Sequence, residues 1–227
     1  MGYLLLEGGA EFGGAMREPD LAAIELAGGA DVPIRIIPTA AAPDNNYQRA
    51  GNNGVRWFRS LGASDVASLP LIDEVSANNG EIVSALRAAK LIYMLGGFTH
   101  YLGQTLIKSK AWDAVLAAYE RRAVVAGSSA GAMVMCEYYF NPGTGRVERG
   151  LNMLPNACVL PHHNTFGKNW ARNVQSLLPD ATLLGIDERT GMLSTGKRWQ
   201  VLGAGSVTLY RFGEKETYQT GQVFSLE

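Results

Sequence analysis

Apolar residues in this chain fall into short runs that stop at Gly or Pro, at 3–6, 34–37, 91–95 and 123–126, with segments of helical character between them. That alternation predicts an α/β fold with a mostly parallel central sheet and crossover helices on both of its faces. The clearest helix is expected at 110–121, where Trp112, Val115, Leu116 and Tyr119 fall at i, i+3, i+4 and i+7 and share one face. Ile82, Leu86 and Ala89 repeat the pattern. Phe166, Trp170, Val174 and Leu177 predict a later helix with intervals of four, four and three. After Met192 the texture changes to short strand-like pieces at 192–194, 199–202 and 206–211, separated by Gly-containing turns. These are expected to close the sheet as antiparallel C-terminal edge strands.

Composition narrows the class without changing that picture. With 227 residues, 47% hydrophobic and 18% charged, and no linker-like stretch, a single α/β domain over 1–227 is expected. Twenty basic residues against twenty-one acidic leave a formal charge of −1, and no Lys/Arg run is present to follow a phosphate backbone. Nucleic acid is therefore not an expected partner. The first seven residues have neither a cationic lead nor an apolar stretch of signal length, and no segment approaches membrane-spanning length. A cytoplasmic location without membrane contact is the default expectation. Cys136 and Cys158 are the only cysteines, each in an apolar stretch and neither in metal-ligand spacing, so two reduced core thiols are expected. No metal or cofactor is expected, and a homodimer is left open.

The chemistry concentrates at one turn. Val124-Val125-Ala126 reads as a buried strand, and Gly127-Ser128-Ser129-Ala130-Gly131 leads from it into an apolar helical pattern. A G-x-S-x-G sequence between strand and helix places its central Ser on a strained turn, and the small neighbours let the backbone fold tightly and expose Oγ. Ser129 is the candidate nucleophile, and Ser128 reads as a turn residue. The amide of Ala130, at the helix start, is a candidate oxyanion donor. Gly96-Gly97, which follows the run at 91–95, offers a second one.

A serine hydroxyl needs a general base, and the base needs an orienting group. His100, His162 and His163 are the only imidazoles. His162 and His163 follow the strand-like run 157–160, and His100 follows the paired glycines, so residue order alone leaves the choice open.

Read in order, Gly8-Gly9-Ala10-Glu11, Pro38-Thr39-Ala40, Gly96-Gly97, the serine turn, Gly150-Leu151 with Leu154-Pro155-Asn156, Pro161-His162 and residues 185–190 resemble the serine peptidase family of peptidase E, an aspartyl dipeptidase, and cyanophycinase. The resemblance implies a class I glutamine amidotransferase-like, flavodoxin-like fold with Ser129 as nucleophile, and a small peptide as substrate. It places the base on His162, with His163 in reserve, and the third member on Glu188 by the cyanophycinase pattern, with Glu148 in reserve. It puts Gly97 and Ala130 at the oxyanion, and Glu11, Phe98, Thr99 and Arg172 at the substrate. Two departures bear on specificity. Phe98 stands where the family usually carries a polar residue, and the Arg-rich stretch after the histidine is thinned to Lys168 and Arg172, so neither poly-Asp-Arg cleavage nor selection of an N-terminal Asp is expected.

Two rivals remain. An α/β-hydrolase esterase shares the serine turn but places its acid before its histidine, which would need Glu137 or Glu148 here. A binding or regulatory protein on the same scaffold would have Phe98 filling the pocket. A dinucleotide site is excluded, because residues 8–14 form neither G-x-G-x-x-G nor a P-loop.

Overall fold

The computed structural model describes residues 1–226. The chain runs β1 (Tyr3–Glu7), α1 (Arg17–Ala27), β2 (Ile34–Ile37), α2 (Tyr47–Ser60), β3 (Val66–Ser68), α3 (Gly80–Ala88), β4 (Leu91–Met94), α4 (Thr99–Leu106), α5 (Lys110–Glu120), β5 (Val124–Ser128) and α6 (Ala130–Met135). It continues through β6 (Cys136–Asn141), β7 (Arg146–Arg149), β8 (Leu154–Leu160), α7 (Ala171–Leu177), β9 (Thr182–Ile186), β10 (Thr190–Thr195), β11 (Arg198–Gly203), β12 (Ser206–Arg211), β13 (Glu214–Gln219) and β14 (Val223–Ser225). The fold is α/β, as expected.

The first sheet has eight strands in the order β14-β11-β10-β1-β5-β4-β2-β3. From β1 to β3 all neighbours are parallel, and β10, β11 and β14 add the expected antiparallel edge. Because side chains alternate across a strand, successive residues of β4 enter different cores. Leu91 and Tyr93 join α1 and α2 on one face, through Ala23, Ile24 and Phe58. Ile92 and Met94 join α3, α4 and α5 on the other, through Leu86, Leu102 and Val115. Strands buried on both faces read as near-continuous apolar runs, which is why β1, β2, β4 and β5 were visible in the sequence.

The second sheet was not expected. Six strands in the order β13-β12-β9-β8-β6-β7 form it, and β12, read as an edge strand of the central sheet, belongs here instead. Its edges conceal it: β7 and β13 are largely polar and exposed and carry no apolar alternation. The inner face of this sheet, with Val159, Leu184, Ile186 and Leu209, shares one apolar cluster with Leu4, Leu6 and Met192 of the first sheet. The outer face, with Cys158, Leu160 and Leu183, is covered by Ala171 and Val174 of α7.

Two details depart from the helix reading. The segment expected from Phe166 begins as a 3-10 turn at Gly167–Trp170 and becomes α-helical only at Ala171, with Phe166 and Leu177 about half exposed. Phe166 has left the stripe to stack on His162, with ring centroids 4.8 Å apart. In α5, Leu116 lies at the exposed margin of the face that Trp112 and Val115 bury. Cys136 and Cys158 are buried free thiols, and desolvation raises both, Cys158 to about 12. No helix among the described residues is long and apolar enough to cross a membrane.

Leu5 sits mid-sheet, paired with Ala126 on one side and Leu193 on the other, and is completely buried. Leu5→Ala is expected to cost about 2–5 kcal/mol in urea unfolding, since a cavity adds to the lost transfer energy. Phe212→Ser, at a position 87% exposed, is expected to stay within about 0.5 kcal/mol.

Candidate active site

The carboxyl ends of β1, β4 and β5 converge, which is where open α/β sheets gather ligands. β5 ends in Ser128, and Ser129 follows with φ 49° and ψ −109° before α6 begins at Ala130. A non-glycine residue held there stores roughly 1–3 kcal/mol and persists only where its surroundings over-determine it. Two such constraints are visible. The amide of Ser129 donates to the Glu7 carbonyl at 3.0 Å, and Gly127 packs so tightly that a Cβ there would lie 2.5 Å from the Gly131 backbone.

Neighbouring parallel strands of the second sheet supply the facing groups. Leu160 of β8 is paired with Gly185 of β9, so the residues after both strands emerge side by side. His162 follows β8 with φ 51°, and its carbonyl accepts from the amides of Thr165 and Gly167, both at 3.0 Å. Ser129 Oγ lies 2.9 Å from His162 Nε2, and His162 Nδ1 lies 2.9 Å from Glu188 Oε1. An ionised carboxylate only accepts, so Nδ1 carries the proton and Nε2 is left to accept from the Ser129 hydroxyl. The amide of Glu188 donates to Asn164 Oδ1 at 3.0 Å, tying the acid's backbone to the histidine loop. The imidazole lies over Gly9, where a Cβ would come within 2.3 Å of Cε1.

The other histidines are engaged elsewhere. His163 points the opposite way, with Nδ1 3.5 Å from Asp187 Oδ1 and Nε2 2.8 Å from the Tyr210 hydroxyl. Burial pushes the Asp187 carboxyl up, but hydrogen bonds from His163 and Ser206 outweigh it and hold the group below the usual range. His100 Nδ1 meets Glu148 Oε2 at 2.5 Å. Burial raises the Glu148 carboxyl too, and hydrogen bonds from Tyr139, Asn141 and His100 bring it down. Glu137 bonds to Arg149 and to the Asn156 amide. Neither Glu137 nor Glu148 contacts His162.

Two cavities meet at Gly97 and Phe98. One, of about 640 Å³, is lined by Glu11, Asp44, Asn53, Arg56 and Trp57 among others, and it is the more polar. The second, of about 550 Å³, is walled by Pro43, Thr99, Tyr101, Phe140 and Pro142. Gly96 lies against the nucleophile turn, where a Cβ would be 3.3 Å from Ser129 Cβ. Glu11 also accepts from Ser128 Oγ at 2.9 Å, so Ser128 is turned away from the imidazole. Arg172 and Lys168 are exposed and line neither cavity.

Sequence reasoning missed Arg56 and Asp44. The available signal was the i, i+3 glycine pair in a polar stretch. Cβ atoms at Gly51 and Gly54 would strike Ser68 Oγ at 2.0 Å and Ile36 Cδ1 at 2.7 Å, the mark of a helix pressed onto strands.

The model of peptidase family S51 matches residues 4–202. Cyanophycinase from Synechococcus elongatus is 29% identical over 222 residues, covering 92% of this chain and 67% of that protein. Cyanophycinase from Nostoc sp. is 28% identical over 195 residues, covering 81% and 64% respectively. The chain thus spans about two thirds of the length of these relatives. The crystal structure of a peptidase from an acI-B1 Actinobacterium superposes with a TM-score of 0.90 at 30% identity, covering 100% of this chain and 97% of that one. With a family match over nearly its whole length, the chain belongs to peptidase family S51 and is a peptidase-type hydrolase.

Proposed function

We propose that the chain hydrolyses a peptide or isopeptide bond of small peptides with Ser129 as nucleophile, His162 as base and Glu188 as the group that orients it. One observation carries this reading: the unbroken line from Ser129 Oγ through both nitrogens of His162 to Glu188, with 2.9 Å at each step. Nε2 takes the hydroxyl proton as Oγ adds to the scissile carbonyl, and Glu188 stabilises the imidazolium that forms. The oxyanion is stabilised by the amides of Gly97 and Ala130. Ala130 suits this because it opens α6, where an α-helix leaves its first amides without internal acceptors. The imidazolium then protonates the departing amine, and water, activated by the same nitrogen, releases the acyl group.

The esterase order loses support because its acid would come from Glu137 or Glu148, which bond elsewhere. The binder reading loses support because Phe98 lines both cavities and is 47% exposed, so it does not plug the site. Specificity follows from the two cavities. Glu11, with Asp44 and Arg56, gives one side of the scissile bond charged partners, while Phe98 and Thr99 lead to an apolar side that offers a charged group no compensation for lost solvation. Arg172, exposed on α7, contributes only if a substrate extends beyond both cavities.

Ser129→Ala is expected to abolish hydrolysis, a loss on the order of 10⁶ in kcat for a nucleophile acting within a triad. Ser128→Ala should retain most activity; equal loss in both folded variants would refute the assignment. Glu188→Gln should cost on the order of 10⁴, because the amide favours the wrong imidazole tautomer. His162→Asn should be inactive, while His163→Asn should lose stability through the stranded Asp187 but keep its activity per folded molecule. Fluorophosphonate labelling together with circular dichroism separates these outcomes.

Profiling peptides with Asp, Glu, Leu or Phe beside the scissile bond should show a broad apolar preference at one subsite, about 1–3 kcal/mol per methylene-sized difference. Strict cleavage at Asp would show that Phe98 does not set that subsite.

A further inference from the structure

Beneath the nucleophile turn lie two acids that the proposed chemistry does not use. Glu7, the last residue of β1, and Asp20, in the first turn of α1, are both 0% exposed. Glu7 shares a sheet face with Leu5, so its side chain points to the α1 and α2 side of the sheet. Each carboxyl group has one oxygen occupied by a neutral donor: the Tyr93 hydroxyl of β4 donates to Glu7 Oε2, and Trp57 Nε1 of α2 donates to Asp20 Oδ2 at 2.7 Å. Among the described residues no N–H or O–H reaches the remaining oxygens, Glu7 Oε1 and Asp20 Oδ1. Strand β10 brings the two together: a Cβ at Gly191 would lie 3.1 Å from Pro19 Cβ, beside Asp20, and 3.6 Å from Glu7 Cγ. Two ionised carboxylates cannot hydrogen-bond to each other, since both only accept. A proton on one of them would let it donate to the other and satisfy both.

The location gives this pair a consequence for the reaction. The backbone carbonyl of Glu7 accepts the Ser129 amide at 3.0 Å, and Glu7 stands beside Ser128 in the β1–β5 register. Glu11 approaches the same acids and also binds Ser128 Oγ, so a carboxylate flanks the pair on the site side. We infer that Glu7 and Asp20 share one proton and act together as a positioning pair for Ser129, holding the end of β1 in the place from which the strained turn departs. The inference rests on Ser129 being the nucleophile.

The titratable groups facing the pair are Tyr93 and Glu11, and neither supplies a positive charge. Desolvation, joined by repulsion from Glu11 and, at Glu7, from Asp20, outweighs the hydrogen bonds from Tyr93 and Trp57, and raises Glu7 well above its ordinary value and Asp20 to about 7. In the unfolded chain both ionise at ordinary carboxylate values, so between the two conditions the folded state binds more protons. The stability contributed by the pair is complete below those ordinary values. It is lost as pH rises through about 7 for Asp20 and further for Glu7.

The test uses the full chain, Glu7→Gln and Asp20→Asn, read by fluorophosphonate labelling rate against pH and by infrared spectroscopy of carboxyl groups. Either amide supplies the missing hydrogen bond without a proton that can dissociate. In the wild type, labelling should fall about tenfold per pH unit on the alkaline side, as for one ionisation. A C=O band of a protonated carboxyl should be present at neutral pH. In Glu7→Gln that band should vanish, and in both variants the alkaline fall in labelling should disappear while the neutral-pH rate stays within about threefold. An alkaline limb unchanged in both folded variants, or no protonated-carboxyl band in the wild type, overturns the inference. Failure of the wild type to label sinks the Ser129 reading and the positioning role with it, and the infrared band then reports the shared proton separately.

Discussion

Three consecutive backbone carbonyls hold the candidate site together. Those of Glu7, Gly8 and Gly9 accept, in order, the amides of Ser129 at 3.0 Å, His162 at 2.7 Å and Arg189 at 3.1 Å, the last adjoining Glu188. Each segment bearing a group of the Ser-His-Glu line is thereby indexed to the same short length of chain at the end of β1. The two glycines follow from this. A side chain at Gly8 would meet the Asp187 carbonyl at 2.1 Å, one at Gly9 would meet the imidazole, and Gly9 has φ +125°. Only backbone fits between the segments, so the aligning role falls to main-chain hydrogen bonds, which side-chain motion does not disturb.

Around that strip the polar groups are arranged in staggered pairs. His162 with Glu188 faces Ser129, while the adjacent residues, His163 with Asp187, turn inward to Tyr210 and Ser206. The inward pair braces the outward one, because consecutive residues on each of two parallel strand ends cannot shift independently. Gly185 leaves the room for it: a Cβ there would lie 2.4 Å from the His163 ring. Beneath Ser129, Glu7 and Asp20 stand among Tyr93, Trp57 and apolar side chains, sealed from bulk solvent and, among the described residues, without a cationic partner to lower the cost of charge.

The parts most legible in the sequence are those in which local chemistry and position coincide. A turn that must expose a serine hydroxyl demands small neighbours in a fixed order, so the strained turn at Ser129 could be located from five residues. Parallel strands buried on both faces demand apolar runs, so β1, β2, β4 and β5 could be placed. The second sheet stayed hidden because β7 and β13 are polar edge strands whose pairing is carried by backbone groups. Asp20 was invisible for another reason: an acid in the first turn of a helix, just after Pro19, reads as ordinary capping chemistry, and only the fold brings it to Glu7. Arg56 was missed likewise, since a polar stretch reads as solvated until its glycines are seen pressed against Ser68 and Ile36.

Ser129 follows a strand of one sheet, while His162 and Glu188 follow strands of the other. The hydroxyl-to-nitrogen gap is therefore a gauge of how far apart the two sheets stand, set by the apolar layer in which Leu6 and Met192 share a cluster with Val159 and Ile186. A displacement of about 1 Å is enough to lose roughly two orders of magnitude in rate. With Ser129 as the proposed nucleophile, heat or pressure that loosens this seam is expected to silence it while both sheets are still intact, so that inactivation would mark the parting of the layers and not the melting of either one.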